Sequence, residues 1–294
     1  MTQLRPRTPL RLWIADEQPD ILGNKDSFGD IAWTSDEIYE HLYEPLRAKY
    51  PSWVKRVSLG ADTSGRYAMY AYEFTPEKWE KTVYIQSGVH FVETEGFFGL
   101  ARLMHLIAEP TNERFAYLRE KVRFLVVPMV SVWGISNSKT RQHNVLGINS
   151  NRDYYDCKLS ETVNVKNYFA SHADNIDFMF DFHTTTTADW GAYLLAYPDG
   201  LDTAVITRLV QIASMLYGRN CPPDTPVAYM GDEGRYPTSP ITSSFTAGFF
   251  KEYHVPGSTL EHSDFIFDNA LGTKVCMTRA IELYANHVFA AVGC

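Results

Sequence analysis

His90 and Glu93 stand three residues apart in GVHFVETEG, where a short β-rich run, Val83–Ser87, gives way to a helical pattern through Phe97, Leu100, Met104 and Ile107. An imidazole nitrogen and a carboxylate at that spacing can reach the same divalent ion. An apolar run and a short strand end on chemistry in the same way. Ile176–Phe182 delivers His183, and Ser258–Leu260 delivers Glu261. Two imidazoles and one carboxylate form the ligand set of many catalytic zinc sites, with the fourth position left open. A carboxylate at a neighbouring strand end could act as general base, and a buried arginine could stabilise a developing oxyanion. Each residue also has a plainer reading. His183 alone is a core histidine, Arg141 and Arg152 are loop arginines that pair with Asp153 or Asp156, and Glu261 beside His262 is a structural pair. His105, His143, His172, His254 and His287 have no motif behind them.

The elements that would hold these residues alternate between strand and helix. Thr34 and Glu37 form a capping box ahead of Ile38, Leu42 and Leu46, with Pro45 placed to kink that helix before it ends at Pro51. Trp53–Leu59 and Tyr67–Phe74 read as strands around the turn GADTSGR. Val122–Val127 is a continuous apolar run, as expected of a strand buried on both faces. Tyr193–Tyr197 is a further strand, Val205–Leu216 a helix, residues 219–248 a long functional loop, and Met277–Val288 a closing helix. Strands interleaved with amphipathic helices predict a single-domain α/β/α sandwich with a mixed, largely parallel central sheet. Residues 1–33 read as an extension packed on a catalytic domain of residues 34–294.

Composition excludes several classes. With 45% apolar and 14% aromatic residues, the 294-residue chain can bury a large core. A net charge of −8 without basic runs argues against a nucleic-acid surface. The N-terminus has no sustained apolar stretch of the secretory kind, and no run of about 18 apolar residues predicts a membrane span. Cys157, Cys221, Cys276 and Cys294 form no C-x-x-C pair and suit a reducing compartment, so a cytoplasmic location is expected.

Taken in order, these segments resemble the M14 zinc carboxypeptidases and the related aspartoacylase-like deacylases, over most of the chain from Ser35 to Glu261. YPSWVKRVSLGADTSGRYAMYAYEF looks like the family's entry segment. GVHFVETEG matches the motif of its first two zinc ligands, and DFHTTTT followed by YLLAYPDG resembles the third-ligand strand and the strand after it. The resemblance therefore implies one Zn²⁺ per chain on His90, Glu93 and His183. VVPMVSVWGISNSKTR implies Arg141 as the oxyanion arginine, and GINSNRDY implies Asn151 and Arg152 as the grip on a substrate carboxylate. STLEHS implies Glu261 as the general base, Tyr236 is the nearest candidate for the family's mobile tyrosine, and Thr246 falls where members set specificity.

The expected activity is hydrolysis of the C-terminal amide bond of a peptide, such as a cell-wall peptide. The alternatives are an N-acyl amino-acid deacylase, whose substrate also carries a free carboxylate, and an inactive binding module that keeps the fold. Val92 stands where many digestive carboxypeptidases have arginine, so the distal peptide subsite should differ. The short gaps from Arg141 to Asn151 and from Glu93 to His183 lie closer to the deacylase branch, and the entry segment closer to the peptidase branch.

Overall fold

The structure, a computed structural model, describes residues 33–137, 142–185, 192–196, 227–229, 244–263 and 273–293. Its centre is an eight-stranded mixed sheet in the order β1-β2-β4-β3-β5-β8-β6-β7. The strands are β1 (Val54–Ala61), β2 (Ala68–Phe74), β3 (Lys81–Ser87), β4 (Val122–Val127), β5 (Phe178–Thr185), β6 (Ala192–Ala196), β7 (Val227–Tyr229) and β8 (Gly257–Ser263). Strands β4, β3, β5 and β8 run parallel at the middle, while β2 and β6 pair antiparallel on either side. The expected sandwich with a mixed sheet is present, with helices on both faces.

Seven helices, besides three single 3-10 turns, accompany the strands in the described residues. The first, α1, comprises Ser35–Ile38, a π-helical turn Tyr39–Tyr43, and Glu44–Lys49. Thr34 and Glu37 close its capping box as expected. Pro45 directly follows the π-helical turn, in the first turn of the Glu44–Lys49 piece, where its missing N–H is tolerated. The others are α2 (Thr94–Ala108), α3 (Ala116–Lys121), α4 (Val132–Ser136), α5 (Ser160–Ala170), α6 (Phe245–Tyr253) and α7 (Thr273–Val292). The stretch 219–248 is not wholly a loop, because it contains β7 and the start of α6. The helix expected over Val205–Leu216 lies outside the described residues.

Alternation along the strands divides the core. On β5, Phe178, Phe180 and Phe182 share one face, and Phe182 stacks on Tyr284 of α7 at 3.8 Å between ring centres. The other face of β3 presents Tyr84, which meets Phe169 of α5 and Phe249 of α6. Those two rings stack on each other at 3.6 Å. Asp181 and His183 belong to this second face by the same alternation, beside Gln86 of β3 and Thr259 of β8. Near the carboxyl ends of the parallel strands, an apolar sheet face therefore turns polar. That is where open α/β sheets place ligands.

Candidate active site

His90 and Glu93 leave the sheet on the loop that joins β3 to α2. Gly88 begins that loop at φ +60°, a conformation a side chain would resist, and a Cβ there would approach Met129 Cα at 3.1 Å. The loop is pinned from the β4 side: Ser131 donates its N–H to Gly88 O at 2.8 Å and its hydroxyl to Val89 O. Ser131 Oγ also lies 3.1 Å from Ser150 Oγ, which ties the loop to the segment that carries Asn151 and Arg152.

The three expected ligands converge. His90 Nδ1 is 2.6 Å from Glu93 Oε1, His183 Nδ1 is 2.9 Å from Glu93 Oε2, and the two Nδ1 atoms are 3.3 Å apart. All three donor atoms lie within 4.8 Å of one another, so the group could hold a metal ion. Zinc takes nitrogen and oxygen ligands at about 2.0–2.2 Å, which places neighbouring donors roughly 3.3 Å apart in a tetrahedral site. The residues fit zinc in donor type, in number and in spacing. Both imidazoles turn Nδ1 inward, so each offers one nitrogen to a shared ion.

The charge of the cluster is arranged for a cation. Burial works to raise the Glu93 carboxyl, but the His183 and His90 imidazoles outweigh it and hold it down at about 2, so the ligand stays anionic. Burial likewise works to lower His183, yet Asp181 and Glu93 hold it well above its ordinary value. The pocket thus favours positive charge where the three donors meet.

Glu261 comes in from β8, in register with His183 of β5, and its Oε1 lies 4.0 Å from His183 Nδ1. Its side chain is 13% exposed. Burial, with Glu93 and Asp181 nearby, pushes it up to about 8 against the pull of His183 and Arg152. A carboxylate so placed can take up and return a proton near neutral pH.

The remaining expected residues divide. Asn151 is buried, and its Oδ1 accepts from the Phe245 N–H at 3.3 Å, joining this segment to α6. Arg152 is exposed, donates Nη1 to Asn151 O at 2.7 Å, and acts electrostatically on Glu261. Thr246 is fully buried in the first turn of α6, with its hydroxyl 2.7 Å from that of Thr259. Arg141 and Tyr236 lie outside the described residues. Two neighbours carried no sequence motif. His143 packs its ring 5.2 Å from that of His90, and burial, with His90 beside it, pushes it down to about 4. Asp181 lies 3.1 Å from His183 through Oδ1. Its position two residues before a candidate ligand was the signal that marks it.

Among the described residues, no helix is long and apolar enough to cross a membrane. No curated protein matches the chain. Solved structures do. A metallo-carboxypeptidase from Burkholderia cenocepacia superposes with a TM-score of 0.68 at 18% identity, over 89% of this chain and 69% of the other. A metallo-carboxypeptidase from Pseudomonas aeruginosa, in complex with (2-guanidinoethylmercapto)succinic acid, gives 0.62 at 15% identity, over 85% and 68%. A protein of Shewanella denitrificans OS217 gives 0.65 at 14% identity, over 99% and 98%. These likenesses establish the shared fold. The zinc carboxypeptidase family, Peptidase M14, matches residues 39–190, just over half of the chain and the part that contains His90, Glu93 and His183. The chain belongs to the zinc carboxypeptidase family and is a zinc metallohydrolase of that carboxypeptidase-like fold.

Proposed function

We propose that the protein removes the C-terminal residue of a peptide, with His90, Glu93 and His183 holding zinc and Glu261 serving as general base. The observation that carries this reading is the register of β5 and β8, which sets Glu261 beside His183 and at the edge of the three-donor cluster. When bound, zinc supplies Lewis acidity at the open position beside these donors.

The chain's own residues account for the rest. The Glu261 carboxylate accepts the proton of the attacking water at Oε1 or Oε2 and returns it to the leaving amine. Arg152 offers its guanidinium to the substrate's free carboxylate, where a forked donor can hold both oxygens. Asn151 keeps that segment seated against α6 through Phe245. Arg141 is assigned to the oxyanion from the sequence motif alone. The Pseudomonas aeruginosa relative, bound to a succinic acid derivative, supports a carboxylate-bearing ligand.

A second reading, deacylation of an N-acyl amino acid, is favoured by the DFHTTTT segment and by the short gaps between motifs. Both substrates carry the carboxylate that Arg152 would hold. Cleavage of N-blocked peptides with free C-termini, compared with cleavage of simple N-acyl amino acids, separates the two. Turnover of the acyl amino acids alone would overturn the peptidase reading.

A further inference from the structure

Asp181 is fully buried, and it stands two residues before His183 on β5, so both side chains leave the same face of the sheet. In register beside it are Gln86 of β3 and Thr259 of β8, a polar row one step beneath the row of His183 and Glu261. Both neighbours are neutral. Gln86 accepts from the Tyr84 hydroxyl at 2.9 Å, and Thr259 meets Thr246 at 2.7 Å. Neither Asp181 oxygen has a partner of hydrogen-bond geometry among the described residues, so what answers its charge must be read from proximity. An ionised carboxylate in such a place is costly unless a specific donor answers it. Among the described residues the only group within ion-pair distance is His183 Nε2, 3.1 Å from Oδ1. That nitrogen is the one turned away from His90 and Glu93, which face Nδ1.

We propose that Asp181 is a positioning residue that holds the Nε2 proton of His183 and thereby keeps the Nδ1 lone pair free for the metal ion. A neutral imidazole carries one N–H, so a carboxylate acceptor at Nε2 fixes the tautomer with Nδ1 as the donor atom to metal. The same contact fixes the ring's orientation and raises the basicity of the ligand. Glu93 receives a comparable fixture from the Thr184 N–H at 3.2 Å, so two of the three ligands are held from β5. The inference rests on the reading of His90, Glu93 and His183 as zinc ligands.

The test compares wild type, Asp181→Asn and Asp181→Ala as full chains, freed of metal. Zinc affinity is read by competition with a chromophoric chelator, cobalt(II) binding by its visible spectrum, and the stability of the metal-free forms by thermal melting. Asp181→Ala should weaken zinc binding by roughly tenfold to a hundredfold, the usual effect of losing such a partner. Asp181→Asn, whose amide oxygen can still accept, should fall between the alanine variant and wild type and should shift the cobalt spectrum. Metal-free Asp181→Asn, which keeps the shape and an acceptor at Nε2, should melt near the wild-type temperature, whereas Asp181→Ala removes one partner of a buried pair and should melt lower. The asparagine variant therefore carries the comparison of zinc affinity at matched stability. Should the alanine variant fail to fold, the asparagine variant carries the same comparison. Unchanged zinc affinity in the variants would overturn the inference alone, and so would a loss in the asparagine variant that merely follows a fall in its metal-free stability. Wild-type protein that takes up no zinc would overturn the ligand assignment itself.

Discussion

The backbone N–H of Thr184 donates to Oε2 of Glu93 at 3.2 Å, so the strand that delivers His183 also holds the carboxylate delivered by the β3–α2 loop. The two halves of the metal cluster are therefore not independent. Glu93→Gln keeps an oxygen for the Thr184 amide but removes the charge that holds a cation. The variant should fold and yet purify with well under one zinc per chain. Elemental analysis beside circular dichroism measures both, and full zinc occupancy would remove Glu93 from the ligand set.

Gly96 tests how closely α2 must approach the sheet to bring that loop into place. A Cβ at Gly96 would meet Ser87 Oγ at 2.7 Å and the Phe182 carbonyl oxygen at 3.0 Å. The first neighbour can turn away, but the second is backbone of β5. Gly96→Ala should cost about 1–3 kcal/mol in chemical denaturation, the usual range for overpacking a tight contact. Because the displaced helix starts directly after Glu93, zinc affinity should fall as well.

The parts of the site that could be read from sequence are those carried by strand ends. Val83–Ser87, Ile176–Phe182 and Ser258–Leu260 are short strand-like runs with a chemical side chain at or just beyond their ends, and such runs need no knowledge of their neighbours. Sheet order is different in kind. Strand β4 inserts between β2 and β3, although β2 and β3 are consecutive in sequence, and only long-range pairing decides that. Strand β7 spans three residues in a polar stretch, too few to show a period. The π-helical turn before Pro45 has no sequence pattern of its own; its last residue, Tyr43, stacks on Tyr72 of β2 at 4.9 Å. Asp181 in FMFDFH carries no motif of its own. Its meaning appears once alternation along β5 puts it on the face of His183.

A second group of charges, away from the metal cluster, predicts the pH dependence of stability. Glu73 of β2 lies 3.5 Å from His172 Nε2 and 2.9 Å from Arg123 Nη2. His172 first, and then Arg123 working against burial, hold the Glu73 carboxyl at about 2. Glu73 in turn raises His172 above its ordinary value of 6.5. The depressed carboxyl contributes stability that is complete above its unfolded value near 4.5 and is lost as pH falls toward 2. The raised imidazole contributes stability that is complete below 6.5 and is lost as pH rises through its folded value. Denaturant midpoints of the wild type should therefore decline on the alkaline side of 6.5, and His172→Gln should flatten that decline. A variant with the wild-type slope would show that His172 is not its source.

Glu261 separates chemistry from metal binding. It faces His183 at 4.0 Å without belonging to the three-donor cluster. Glu261→Gln preserves shape and removes the proton acceptor, so it should retain zinc and lose kcat by roughly a hundredfold to ten-thousandfold. Zinc loss in this variant would make Glu261 a ligand. Near-normal turnover would remove it from the reaction.

Arg152 decides whether the substrate's carboxylate is gripped where the sequence motif suggests. Its guanidinium is partly buried, anchored through Nη1 to Asn151 O at 2.7 Å, and close enough to Glu261 for their charges to interact. A lysine ammonium cannot reproduce the planar fork. Arg152→Lys should lower kcat/KM by roughly tenfold to a thousandfold, from the loss of one charge-assisted contact and the misplacement that follows. Amidating the substrate's carboxylate should cost the wild type about as much, because it removes the same interaction from the other side. In the variant, amidation should cost little more, since the contact is already gone. Two groups that act on each other give such non-additive losses, and two independent groups give losses that multiply. Multiplying losses would mean that Arg152 does not touch the carboxylate, and the grip would then have to come from another cation, with Arg235 the next to replace.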